Sequence, residues 1–259
     1  MQNWPLITQM TRREIFSRYR GTTFGWLWAI LTPLAMLVVY TFVFGTVLKA
    51  RWAELPQDSS TAEFAVILFG GLIVFQLLSE VVNLAPSLII SNTNYVKKVV
   101  FPLEVIVPVA LGAAMFHAAV SVGILLIFAF VVFGAIPLTS LLIPLILAPF
   151  CLLLLGLGWF LASIGTYLRD IQQLLGPIVT ALMFLAPLFY PITALPEWVR
   201  PWVFLNPITL PVEQLRDVVV FGRLPSFGAL GLYAAISLIV AVLGYFWFQK
   251  TRKGFADVL

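Results

Sequence analysis

The chain has 259 residues, 61% of them hydrophobic and 10% charged, with a net charge of +4 and a mean hydropathy of +1.04. Soluble domains carry about a quarter charged residues, so this composition excludes one and points to a protein built into a bilayer. The basic residues are scattered beside apolar runs and form no long stripe, which excludes nucleic acid as an expected partner. The single cysteine, Cys151, excludes an internal disulfide, and no Cys/His cluster offers a metal site.

The order of apolar and polar segments predicts an all-α integral membrane protein forming one transmembrane domain over 1–259. Residues 1–23 are too short and too charged to span. On a helical wheel Trp4, Ile7, Ile15 and Tyr19 share one side, opposite Gln9, Arg13 and Arg20, while Arg18 falls on the apolar side. An amphipathic interfacial helix is expected there, broken at Gly21-Thr22-Thr23. The segment has no apolar core, so no cleavable signal peptide is expected in it.

Six transmembrane helices are expected at about 24–48, 64–84, 103–133, 138–167, 174–189 and 228–248. Residues 191–226 are too interrupted by proline for a span and too apolar for a free loop. They read as two short re-entrant helices, 197–205 and 211–221, hinged at Asn206-Pro207 on the outer face. Residues 250–259 form a basic tail. With six crossings both termini share one side. Segments on that side hold ten Lys and Arg against five on the other, so the termini are expected in the cytoplasm. On this topology cysteines placed at Trp198 and Arg216 should react from outside the cell.

No G-x-x-x-x-G-K-[ST] phosphate loop is present, and no catalytic constellation converges inside the spans, so the chain is not read as an enzyme. His117 is the one ionisable residue read as deep in a span, with Glu80 at a span end. It reads as a neutral packing histidine hydrogen-bonded to a neighbouring helix. Any driving energy then comes from outside. Tyr95, Val96, Lys97 and Lys98 form one inner step on which a partner could push, and Arg169 and Asp170 form another. Equally, Lys97 and Lys98 could serve only to orient the chain. Tyr40 and Phe44 are four apart in span 1, and Phe184, Phe189 and Tyr190 lie in the outer half of span 5. Such rings could line a path for sugar faces or simply face lipid.

Several motifs occur in order. They are R-x-x-x-S-R-Y-R-x-T-x-x-G-x-L-W-A-I-L-x-P-L at 13–34, Ser91-Asn92 with Val96-Lys97-Lys98-Val99 and Phe101-Pro102-Leu103-Glu104, Tyr167-Leu168-Arg169-Asp170-Ile171, and Ala186-Pro187-Leu188-Phe189-Tyr190-Pro191 before Leu205-Asn206-Pro207. Together they resemble the ABC-type polysaccharide exporter permeases, with Ala186 where serine is commoner. The resemblance implies a homodimer of permeases in the bacterial inner membrane, bound to two copies of a separate ATPase subunit that uses ATP and Mg. It also implies a canal for a lipid-linked glycan such as O-antigen, capsule or teichoic acid, with periplasmic export components as further partners. Residues 95–99 would be the coupling helix, Arg169 and Asp170 a second contact, and Arg18 of the N-terminal helix part of the same docking floor. Tyr40, Phe44, Phe184, Phe189 and Tyr190 would line the canal. Pro191, Pro196, Trp198, Asn206, Pro207, Glu213 and Arg216 would belong to the outer gate. A permease for a small drug or lipid is the alternative, and a passive channel or scaffold is a third reading.

Overall fold

The computed structural model describes residues 4–47, 52, 60–97 and 101–259. These residues are largely helical, and no strand occurs among them. Helix α1 (Trp4–Tyr19) precedes α2 (Trp28–Tyr40), which continues as a π-helical segment over Thr41–Val47. Then come α3 (Thr61–Leu84), α4 (Thr93–Lys97), α5 (Ile106–Phe133), α6 (Ile143–Tyr167) and α7 (Ile171–Leu185). The order ends with α8 (Arg200–Val203), α9 (Thr209–Val219), α10 (Phe227–Thr251) and α11 (Phe255–Val258). Among the expected site residues, Lys98 lies outside the described residues.

Five described segments are long and apolar enough to cross a bilayer: Gly25–Val47, Thr61–Ser87, Leu103–Phe133, Leu138–Tyr167 and Phe227–Val258. They correspond to the expected spans 1–4 and 6. The expected fifth span is α7, which has 15 residues. At 1.5 Å per residue α7 is about 22 Å long, against roughly 30 Å of hydrocarbon. Proline sets its end. Ala186 turns extended, with ψ at 152°, immediately before Pro187, because a residue preceding proline is driven out of the helical region.

Helix α3 holds the centre. Every residue from Phe64 to Val74 is buried, which a helix apolar all round requires. Ser60 caps its start by accepting from the Glu63 amide at 3.3 Å. Helices α5, α6, α7 and α9 pack around it. Helix α2 stays at the edge, burying only Ala29 and Leu37.

The closest helix pair is α6 with α10. A Cβ on Gly156 would collide with the Val240 carbonyl, and one on Gly244 with the Gly156 carbonyl. Small residues allow this backbone approach, which drives association where apolar solvent offers no hydrophobic effect. Gly244→Val should therefore force the pair apart at a cost of about 1–3 kcal/mol or more. Thermal unfolding in detergent should show a clear drop for Gly244→Val and almost none for Gly231→Val, whose Cβ meets nothing within 4 Å.

The expected interfacial helix is α1. It ends where Gly21 adopts a left-handed φ of +85°. It lies along α5, with Thr11 against Gly112. Both chain ends meet α4. Arg13 of α1 donates to the Tyr95 hydroxyl at 3.1 Å, and α11 packs on α4 and α6. The tail is tied down further where the Tyr167 hydroxyl donates to the Thr251 carbonyl at 2.7 Å and Arg252 donates to Glu104 at 2.9 Å. This end of the bundle is called the terminal end below, and the opposite one the distal end.

The distal end is covered by 191–226. Its first expected helix, 197–205, shrinks to the four residues of α8, in a stretch punctuated by Pro196 and Pro201. The second is α9, which starts at Thr209 and takes Pro211 within its first turn, where backbone N–H groups lack helical acceptors anyway. Thr139 and Ser140 donate to the Val218 carbonyl at 2.7 and 3.2 Å, and Tyr233 donates to the Pro207 carbonyl at 2.8 Å. These bonds pin the cover to the helices beneath it.

Candidate functional site

Aromatic rings from two distant stretches meet near the distal end. Tyr40 and Phe44 sit at the junction of α2 with its π-helical extension, and their rings stack at 6.2 Å. Phe189, just beyond α7, stacks on Phe44 at 4.3 Å with only 11° between planes. It lies 6.1 Å from Tyr40 and 5.9 Å from Phe184. The contact exists because α7 stops at Pro187 and the chain turns back toward α3. Four of the five expected canal residues therefore form one run of rings. Tyr190 turns instead to its own helix, donating to the Phe184 carbonyl at 3.0 Å.

Below Tyr40 lies a cavity of about 290 Å³ between α1, α2, α3 and α5. Arg18, Glu80 and His117 line it together with Gln76, Thr32 and Trp28. Glu80 joins two donors from two helices. Arg18 Nη1 is 2.5 Å from Glu80 Oε1, and His117 Nδ1 is 3.0 and 3.1 Å from the two carboxylate oxygens. Arg18 Nη1 also approaches His117 Nδ1 at 3.0 Å. As a carboxylate Glu80 only accepts, so the proton it receives sits on Nδ1. His117 Nε2 is buried with no hydrogen-bond partner among the described residues. Tyr19 stands edge-on to the imidazole at 6.0 Å. Desolvation raises the Tyr19 phenol above its ordinary pKa, against the smaller opposing pull of Arg18.

The cluster bears on two expectations. His117 does hydrogen-bond a neighbouring helix, through Glu80 of α3, a charged partner not expected for it. Arg18, whose side chain is 41% exposed, gives its guanidinium to Glu80. A charged pair at this depth is tolerated because each group supplies the other's hydrogen bonds.

At the distal end Arg216 carries the cover. It is 2% exposed. It donates to the carbonyls of Ile67, Pro187 and Leu188 at 3.3, 2.6 and 2.9 Å and pairs with Glu213 at 2.8 Å. Its guanidinium also lies 4.4 Å over the Trp52 ring. The expectation that Arg216 is open to a reagent is therefore wrong, because α3 and the turn after α7 enclose it. Trp198 is 76% exposed. Asn206 is buried too, donating to the Leu182 carbonyl at 2.8 Å and accepting from the Ile208 amide at 3.3 Å. Pro191 is buried, Pro207 half-buried and Pro196 exposed.

At the terminal end α4 presents Lys97 outward. Tyr95 stacks on Phe101 at 4.5 Å while accepting from Arg13. Val96 packs on a buried cluster that includes Ile89, Val107 and Phe255. Arg169 and Asp170 stand exposed between α6 and α7. A short helix rooted by Tyr95 and Val96, with Lys97 exposed, can transmit a push on its surface to the helices beneath.

Residues 5–220 match the ABC-2 type transporter family. The chain belongs to that family. This ABC-2 transporter also resembles proteins named O-antigen export system permease protein RfbA. The one from Klebsiella pneumoniae is 23% identical over 98% of this chain and 95% of the relative. The one from Myxococcus xanthus is 25% identical over 97% and 94%. The polysialic acid transport protein KpsM of Escherichia coli is 27% identical over 90% of this chain and 88% of its own.

Sequence reading of this ABC-2 transporter missed Glu80 as a partner of His117, and Trp52 as a platform for Arg216. A signal for the first was available. Two ionisable residues inside apolar spans seldom stay unpaired, and Glu80 is the natural partner for His117. Trp52 offered no comparable signal, since its contact depends on how 191–226 folds over α3.

Proposed function

We propose that this ABC-2 transporter is the membrane subunit of an exporter that moves a lipid-linked polysaccharide across the inner membrane. A separate ABC ATPase drives it. The reading rests on the run of rings formed by Tyr40, Phe44, Phe184 and Phe189, in a chain similar over its full length to O-antigen and polysialic acid transport proteins. Aromatic faces take the apolar side of pyranose rings without fixing one hydrogen-bond pattern, which suits a repeating chain sliding past. The Arg18–Glu80–His117 cavity lies on the terminal side of the rings and would form the inner mouth of the same path.

The sixth crossing is α7 continued by 186–190. Both chain ends reach α4, so the number of crossings is even, and five long spans require one more. The termini and α4 then lie in the cytoplasm, as the ten-to-five charge bias favours. Lys97, Arg169 and Asp170 face the ATPase. The cover at 191–226 is the re-entrant outer gate. The bare apolar faces of α2 and α7 would meet a second permease, which would close the canal.

The reading is tested by deleting the gene and assaying surface glycan. Glycan should vanish from the surface while its lipid-linked precursor accumulates inside. Wild-type chain should restore export, and Lys97→Glu should reach the membrane without restoring it. Unchanged surface glycan in the deletion strain would overturn the proposal in favour of a small-molecule cargo.

A further inference from the structure

A second cavity, of about 560 Å³, runs between α1 and α5, within the roughly 300–1,000 Å³ range of small-molecule sites. Its walls are hydrocarbon. Ile7 and Ile15 come from α1, Leu111 and Met115 from α5, and Trp26 lies across one end. No described side chain fills it, and an apolar groove does not hold ordered water. The groove sits where an amphipathic helix lies against a membrane span, so the adjoining phase is lipid.

The charge at its rim identifies the lipid. Helix α1 carries Arg12, Arg13 and Arg18 against one carboxylate, Glu14. Arg13 is engaged by Tyr95 and Arg18 by Glu80. Arg12 lines the groove, 5.6 Å over the Phe16 ring. Among the described residues it forms no ion pair. Arg12 is thus a cation at the mouth of a hydrocarbon slot that no described carboxylate neutralises. We infer that this groove holds one acyl chain of an anionic phospholipid, with the phosphate at Arg12. The lipid adds to the contact between α1 and α5, where Thr11 meets Gly112 and Tyr19 meets His117. The inference concerns a resident lipid and stands apart from the exported cargo.

Native mass spectrometry of the full chain, released from nanodiscs of phosphatidylcholine with or without phosphatidylglycerol, tests it. One phosphatidylglycerol should remain per chain, and phosphatidylcholine should not replace it. Arg12→Gln should lower retention about five-fold, the factor expected for one arginine near an anionic surface. Met115→Trp should lower retention by narrowing the slot. Arg20→Gln, exposed and outside the groove lining, should change nothing. Equal retention of phosphatidylcholine, equal loss in Arg20→Gln and Arg12→Gln, or undiminished binding in a folded Met115→Trp would each overturn the assignment. A polyprenyl phosphate retained from the source membrane in place of phospholipid would overturn it too.

Discussion

Replacing Arg216 with methionine should cost the protein about 3–5 kcal/mol and loosen the whole distal cover. The side chain is 2% exposed, and its guanidinium holds the carbonyls of Ile67, Pro187 and Leu188 and the Glu213 carboxylate. Methionine fills similar volume but leaves those acceptors in a low-dielectric site without the guanidinium that bonds them, and removes the Arg216 cation from beside Glu213. Arg216→Lys should recover only part of the loss, because an ammonium cannot reproduce the planar fork that reaches acceptors on two elements. Arg223→Met is the control. Arg223 pairs with Asp217 at 3.8 Å with its own side chain 59% exposed, where such pairs contribute about 0–1 kcal/mol. The comparison is made by thermal unfolding in detergent. If Arg216→Met melts with Arg223→Met, the buried arginine does not hold the cover.

The second large effect belongs to Glu80. Glu80→Ala removes the acceptor shared by Arg18 and His117, so α1 loses its tie to α3. Arg18 is 41% exposed and can turn to water, but His117 is 16% exposed and cannot. The expected stability loss is about 1–3 kcal/mol, chiefly from the stranded imidazole. Loss of anchoring should show as faster proteolysis within 4–20 and as reduced glycan export. Arg18→Gln should produce the proteolysis with a smaller loss of stability. A double-mutant cycle of the two should give a coupling of about 0.5–3 kcal/mol. Additive effects would mean that the pair contributes nothing as a pair.

The long spans were legible because runs of apolar residues bounded by charge have one solution in a bilayer. The short α7 was harder to read. Its apolar run continues to Phe189 in sequence, but Pro187 ends the helix after Leu185, and composition does not register that stop. Tyr40 and Phe44 were readable as one face of a helix. Their stacking on Phe189 was not, because it depends on a turn 145 residues later in the chain. The same holds for Arg18, Glu80 and His117, whose separations of 62 and 99 residues put them together only after α1 docks on the bundle. A helical wheel marked Arg18 as misplaced on an apolar side. That anomaly was the trace of a buried acceptor, and the sequence alone offered no way to say which.

The crossing of Gly156 and Gly244 has a consequence for how the protein is made. Helix α10 is synthesised after α6, and it supplies the partner of α6. Until Gly244 has entered the bilayer, the stripe around Gly156 faces lipid with no side chain to shield its backbone. Nascent chains at that stage expose a surface on which other small-residue helices dock readily. A stop codon between the end of α6 and 244 would leave that surface permanently open. Such a truncated product would still insert its first four long spans, and it would bind neighbouring membrane proteins through α6 instead of folding on itself.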